Sequence, residues 1–250
     1  MIKPLMVDLF CGLGGATEGF LAEGWDCIGV DIEQHIYGQN CYPAQLWVQD
    51  ILTISGSQLR NADFIWASPP CQAYSWMAMP WSRAKTKAAA IRADTTGAEL
   101  ERLNRLFNAC FRIQREACEA AGRHIPMVVE NVRGAELWVG RARWAAGSMY
   151  LWGDVPALMP IYRHVKVRSF RFDGSGSFQT ASVRRTNIGN GTRFTSTDCG
   201  LERRWFNDGP RDSGSMASMS SKSPERKFAS AMIAKIPEPL SRHIARVYHP

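Results

Sequence analysis

Cys71 stands in Ser68-Pro-Pro-Cys-Gln72, where two prolines fix the backbone and put a thiol in a defined loop. Ionised, such a thiol is a nucleophile; the alternative is a small apolar core residue. Met127-Val-Val-Glu130-Asn-Val132 places a carboxyl group at the end of an apolar run. Partial desolvation there would raise its pKa and let it act as an acid; a Glu simply bonded to a neighbouring loop is the other reading. Upstream, Asp8-Leu-Phe-Cys-Gly-Leu-Gly-Gly15 supplies glycines that let a backbone approach a nucleotide-like ligand and turn into a helix. Thr17 occupies the place where the dinucleotide fingerprint needs its third glycine, which disfavours a nicotinamide dehydrogenase. Asp31 follows about twenty residues later, the position from which a carboxylate accepts from both ribose hydroxyls. Asp50 can accept from an adenine amino group, although either aspartate taken alone also suits a helix N-cap. Together these residues describe an adenosine pocket.

The elements that must position these groups are legible in the apolar pattern. Leu5 to Phe10, Cys27 to Val30, Leu46 to Val48 and Phe64 to Ala67 are short apolar runs, each followed by polar or turn-forming residues. Ala16 to Ala22 reads as a helix after the first run. A longer helix is predicted over about Ala98 to Ala121, with Leu100, Leu103, Leu106, Phe107 and Cys110 on one buried face and Gly122 ending it. Met127 to Val129 and Ser148 to Trp152 complete six expected strands. The pattern predicts an α/β fold, a doubly wound and mostly parallel sheet whose strand ends converge on one ligand-binding edge. From Lys166 the texture turns to glycine, serine, threonine and arginine, so a small irregular second domain is expected over 166–223, with residues 1–165 and 224–250 forming the first. Pro237 and Pro239 introduce a last amphipathic helix, Leu240 to Tyr248, with Leu240, Ile244 and Val247 able to pack back on that first domain.

Composition bounds the possibilities. The 250 residues are 45% hydrophobic and 21% charged, the balance of a chain with a sizeable core. No apolar run is long enough for a signal peptide or membrane span, so a cytoplasmic location is expected. Seven cysteines, without a CxxC pair or zinc-ligand spacing, argue against a disulfide framework and a metal site. The net charge of +7 is concentrated between Lys166 and Lys227, with twelve Lys and Arg against six Asp and Glu. Such a segment suits a phosphate backbone, or is a solvated basic surface.

Asp8-Leu-Phe-Cys-Gly-Leu-Gly-Gly15, Pro69-Pro-Cys-Gln72 and Glu130-Asn-Val132, in this order, resemble the signature motifs of the cytosine-5 DNA methyltransferase family, of which this chain would be a short member. The resemblance implies a Rossmann-like methyltransferase domain with S-adenosyl-L-methionine as cofactor and a monomer acting on double-stranded DNA. By it Phe10 lies against the adenine, and Gly12, Leu13, Gly14 and Gly15 line the methionine end. Asp31 and Asp50 contact ribose and adenine, Ile32 and Ile51 cover the adenine faces, and Pro69 borders the cofactor. Cys71 attacks carbon 6 of a flipped-out cytosine, Glu130 with Asn131 serves the base, and carbon 5 is methylated before Cys71 is eliminated. Gln72, Ser75, Arg168, Arg184 and Arg185 are the implied DNA contacts.

Two departures from the family stand out. The Gln-x-Arg-x-Arg element has only weak substitutes, Gln179 to Arg185 and Lys166-x-Arg168, and either is as well read as phosphate-binding arginines. Ile233-Ala234 takes the place of the family's Gly-Asn before the closing proline turn. The short recognition segment leads us to expect a target of two to four base pairs, in a restriction-modification or phage DNA modification setting. A tRNA cytosine-5 methyltransferase is the rival reading, since a related branch carries the same motifs; a binding protein that has lost catalysis is disfavoured by Cys71 and Glu130.

Overall fold

The computed structural model describes residues 3–75, 81–160, 227–228, 231–232 and 234–250. The chain divides into two units, Met1–Arg163 with Lys235–Pro250 and His164–Ala234. The architecture below belongs to the first; the expected domain at 166–223 lies outside the described residues.

The strands are β1 (Leu5–Leu9), β2 (Asp26–Asp31), β3 (Gln45–Val48), β4 (Phe64–Ala67), β5 (Met127–Asn131), β6 (Trp144–Ala146) and β7 (Met149–Gly153). They form one sheet in the order β3-β2-β1-β4-β5-β7-β6. The first five are parallel, whereas β7 runs antiparallel to both β5 and β6. Helices α1 (Gly15–Ala22), α2 (Trp81–Ala93), α3 (Ala98–Ala121), α4 (Glu136–Val139) and α5 (Glu238–Val247) accompany it.

Alternation along the central strands builds two cores. Val7, Leu9, Ile65, Ala67, Met127 and Val129 face one side, where Phe107, Cys110, Ile113 and Ala117 of α3 cover them. Met6, Phe64, Trp66 and Val128 face the other, under Phe20 of α1 and Leu240, Ile244 and Ala245 of α5. Strands buried on both faces read as continuous apolar runs, which is why Phe64-Ile-Trp-Ala67 was visible in the sequence. This mixed seven-stranded sheet with helices on both faces is a doubly wound, mostly parallel α/β fold, as expected.

The sequence pattern misses some details. β6 is only three residues long, and α2 buries Ala84, Ala88 and Ile91, a stripe too small in side chain to stand out. Leu100 is left exposed because the buried stripe of α3 begins only at Asn104. Val247 is also exposed, its place on the buried face of α5 being taken by Ala245 beside Ile244.

Helix α5 lies directly on α1. Ser241 Oγ donates to the Gly15 carbonyl, Arg242 and Arg246 both pair with Glu23, and Lys235 pairs with Glu18. A Cβ on Gly19 would fall 2.1 Å from Ser241 Oγ and 2.6 Å from the Arg242 backbone nitrogen. Gly19→Ala must therefore push the two helices apart, and urea unfolding should show a loss of about 1–3 kcal/mol; an unchanged midpoint would contradict this packing.

Candidate active site

Because the first five strands are parallel, their C-terminal ends share one edge, where ligands bind in such sheets. The glycine loop follows β1, Asp31 closes β2, Asp50 follows β3, the Pro-Pro-Cys loop follows β4, and Glu130 and Asn131 end β5. Topology alone thus gathers residues separated by more than a hundred positions.

The glycine loop turns sharply. Phe10 has φ 60°, the one positive φ outside glycine among the described residues, followed by Gly12 at 51° and Gly14 at 76°. Such a conformation in a bulky residue costs on the order of 1–3 kcal/mol and persists only when its surroundings impose it. Here the amides of Phe10 and Cys11 both donate to the Val30 carbonyl, at 2.8 and 3.3 Å, and the Gly14 amide donates to Cys11 O at 2.7 Å. A Cβ on Gly14 would come within 2.5 Å of Pro43 Cδ, whereas one on Gly12 would meet nothing within 4 Å. The loop is therefore packed from below and open above Gly12.

Asp31 fixes that open face. Its Oδ2 accepts from the Gly12 amide (2.9 Å) and its Oδ1 from the Ile32 amide (2.8 Å), while His35 Nε2 lies 3.6 Å from Oδ1. Each oxygen keeps a second lone pair for a ligand hydroxyl. Asp50 caps the turn Ile51–Thr53 through the Leu52 amide (2.9 Å), the capping role open to it from the start, and its other oxygen has no hydrogen bond among the described residues. Ile51, Leu13 and Pro69 are buried, Gly15 opens α1, and Ile32 stands 67% exposed beside Asp31.

Below the loop lies a buried chain that sequence reasoning missed. Thr17 Oγ1 donates to Asp8 Oδ2 at 2.7 Å and stands 2.7 Å from the Tyr42 hydroxyl. Burial, opposed by the Thr17 hydrogen bond and assisted by the charge of Asp31, pushes Asp8 up to about 7. A polar residue in the middle of the apolar run Leu5 to Phe10 was the available signal.

Cys71 opens a 3-10 turn, Cys71–Ala73, immediately after Pro70, and its carbonyl accepts from the amides of Tyr74 (3.0 Å) and Ser75 (2.9 Å). Gln72 is exposed on this turn and Ser75 half-buried just beyond it. The buried Asn131 amide spans from β5 to the loop, with Nδ2 donating to Pro69 O at 2.8 Å and Oδ1 accepting from the Val132 amide at 2.9 Å. The turn is also held by the Tyr74 hydroxyl on Asn104 Oδ1 (3.0 Å) and by Lys87 Nζ on the Ala73 carbonyl (3.2 Å). Burial raises the Cys71 thiol, and the charge of Glu130 adds to this against a smaller opposing backbone hydrogen bond. Glu130 is itself pushed up to about 8 by burial. Thiol and carboxyl group therefore share one field at the ends of adjacent strands. Arg168, Arg184 and Arg185 lie outside the described residues.

A glycine turn, a strand-end carboxylate beyond it and a thiol within the field of a buried carboxyl group thus share one edge of this sheet. Residues 5–91 match the family model described as C-5 cytosine-specific DNA methylase, in line with the resemblance carried by the glycine-loop and Pro-Pro-Cys motifs that fall within them. No curated protein sequence matches the chain. Solved structures do, at low identity. A DNA modification methyltransferase encoded within an E. coli prophage is 21% identical, with a TM-score of 0.36, over 55% of this chain and 35% of its own. The Entamoeba histolytica methyltransferase EhMeth is 19% identical, with a TM-score of 0.37, over 56% and 41%. A mutant of Spodoptera frugiperda DNMT2 is 18% identical, with a TM-score of 0.33, over 55% and 38%. The chain thus spans well under half the length of each.

Two raised carboxyl groups set a pH dependence. Asp8 and Glu130 keep their protons in the fold up to about 7 and 8, while in the unfolded chain both ionise near their ordinary values of 3.8 and 4.5. Between these limits the folded state binds more protons, so stability should fall as pH rises from about 5 to 8. Urea titrations at several pH values should show a shallower fall for Glu130→Gln; an identical slope in that variant would place the Glu130 pKa at its ordinary value.

Proposed function

We propose that the protein is a DNA cytosine-5 methyltransferase that uses S-adenosyl-L-methionine and Cys71 as its covalent nucleophile. The observation that carries this reading is that Asn131, next to Glu130 on β5, bonds the loop of Cys71 at Pro69, so that the thiol lies within the field of Glu130.

The glycine-loop side of the edge fits the cofactor. The backbone above Gly12 is open, and Asp31 offers unused lone pairs to ribose hydroxyls. Phe10, Gly12, Leu13, Gly14 and Gly15 would hold its methionine and adenine ends, with Ile32, Asp50, Ile51 and Pro69 around the base. When bound, S-adenosyl-L-methionine supplies an electrophilic methyl group.

The chain's own chemistry concerns the base. Carbon 5 of cytosine is a poor nucleophile until a thiolate adds at carbon 6, and the addition needs a proton at ring nitrogen 3 to take up the developing charge. A carboxyl group with a pKa of about 8 holds that proton at neutral pH, and while it does so it carries no charge to oppose the ionisation of Cys71. The productive form is the thiolate beside the carboxylic acid, one negative charge between two groups. Water takes the carbon 5 proton, the Cys71–carbon 6 bond breaks with Cys71 leaving as thiolate, and the proton at ring nitrogen 3 returns to Glu130, which frees the product. Asn131 acts through the Pro69 carbonyl, as a positioning residue. The basic segment at 166–223, with Arg168, Arg184 and Arg185, would supply backbone contacts and read a target of two to four base pairs.

The decisive assay is methyl transfer to duplex DNA against total tRNA, followed by bisulfite sequencing; transfer to tRNA alone would replace the substrate. Cys71→Ser should abolish transfer with cofactor binding retained, and 5-fluorocytosine DNA should trap an adduct on Cys71, because fluorine blocks the final proton loss. Full activity in the variant would overturn the mechanism. Asp31→Ala should weaken S-adenosyl-L-methionine binding by about 1–3 kcal/mol in calorimetry, since both the ribose contact and the Gly12 tether are lost.

A further inference from the structure

Two arginines at the site edge have no internal employment. Arg133 follows Asn131 on the turn Arg133–Ala135, is exposed, and makes no hydrogen bond or ion pair among the described residues. Arg83 on α2 is likewise exposed and unpaired among them. Helix α2 carries Arg83, Lys85, Lys87 and Arg92 and no acidic residue from Trp81 to Ala93. Arg92 lies over the Trp138 ring at 5.6 Å, and Lys87 is bonded to Ala73 O, so these two cations serve the fold. Arg83 is one helical turn from Lys87 on the same face. It also sits in the first turn of its helix, where a cation opposes the macrodipole and favours an external anion as compensation.

Both arginines stand on elements bonded to the loop that carries the thiol. Lys87 ties α2 to Ala73, two residues after Cys71, and Asn131, two residues before Arg133, ties β5 to Pro69, two residues before it. We propose that Arg83 and Arg133 grip phosphates of duplex DNA next to the cytosine delivered to Cys71. The first unit of the chain would then hold the backbone at the point of chemistry, independently of the basic segment further along. This proposal rests on the reading of the site as a DNA cytosine-5 methyltransferase. Phosphates are the fitting occupant because unpaired, permanently charged guanidinium groups offer forked donors to phosphate oxygens; α2 has no acidic residue to repel them, and Glu136, which follows the Arg133 turn, is bonded to the Ala142 amide.

The test measures binding of the full chain to labelled duplex DNA across a salt series. Arg83→Gln with Arg133→Gln should flatten the dependence of log affinity on log salt by about 2 units, each phosphate contact contributing roughly 0.9. Arg83→Lys with Arg133→Lys should restore the slope, and calorimetric affinity for S-adenosyl-L-methionine should not move in either variant. An unchanged slope in the glutamine variant overturns the proposal, as does a flattening that appears with total tRNA and not with duplex DNA. Methyl transfer by the unaltered chain is scored separately: DNA binding with the predicted slope change but no transfer would sink the catalytic reading and leave the phosphate grip standing.

Discussion

The hydrogen bond from Asn131 Nδ2 to the Pro69 carbonyl makes up for what two consecutive prolines remove. Pairing between β4 and β5 reaches its last register at Ala67 and Val129. Beyond that point Pro69 and Pro70 have no N–H to donate, so backbone pairing cannot carry the chain to Cys71. A buried side-chain amide takes over, reaching from β5 to the loop and satisfying a carbonyl that would otherwise be desolvated without a partner, at a cost of about 1–3 kcal/mol. Everything chemical at this end of the sheet follows from that bridge. The prolines stiffen the loop, the amide sets its height over the sheet, and the thiol comes within the field of the Glu130 carboxyl group.

The same edge repeats one electrostatic device twice. Under the glycine loop Asp8 lies within the field of Asp31, and in the neighbouring site Cys71 lies within that of Glu130. In each pair burial disfavours two negative charges, so one partner keeps its proton. Asp31 accepts from the Gly12 amide, while burial pushes Asp8 up to about 7, its carboxyl group bonded by Thr17, which in turn meets Tyr42. Raised acids at an active edge carry a stability cost, here set against the two apolar cores that clamp the sheet from both faces.

The sequence exposed what is local or strongly patterned. Strands buried on both faces left unbroken apolar runs, the long helix α3 ended at Gly122 as its left-handed φ of 64° requires, and the motif residues fell at strand ends because a parallel sheet leaves them nowhere else. What stayed hidden depends on distant partners. Nothing near Tyr42 announces that its hydroxyl meets Thr17, and the role of Asn131 is invisible without Pro69 beside it. Helix α2 escaped notice because alanines line its buried face, and β6 because three residues carry no period. Asp50 shows the reverse case: capping a turn and reaching for adenine require the same residue type, so composition could not separate them.

Packing of α5 on α1 has a consequence for how the protein comes into being. Lys235 and Ser241 reach back across 217 and 226 positions to Glu18 and Gly15, and Leu240 and Ile244 help bury Phe20. A chain still emerging from the ribosome thus displays every motif residue long before the surface that fixes its first helix exists. Closing a loop of that length adds only slowly growing entropy, yet the contact must wait for residues 235–247 to be made. Nascent protein passes through an interval in which the glycine loop and the helix after it are synthesised but still lack the support of α5.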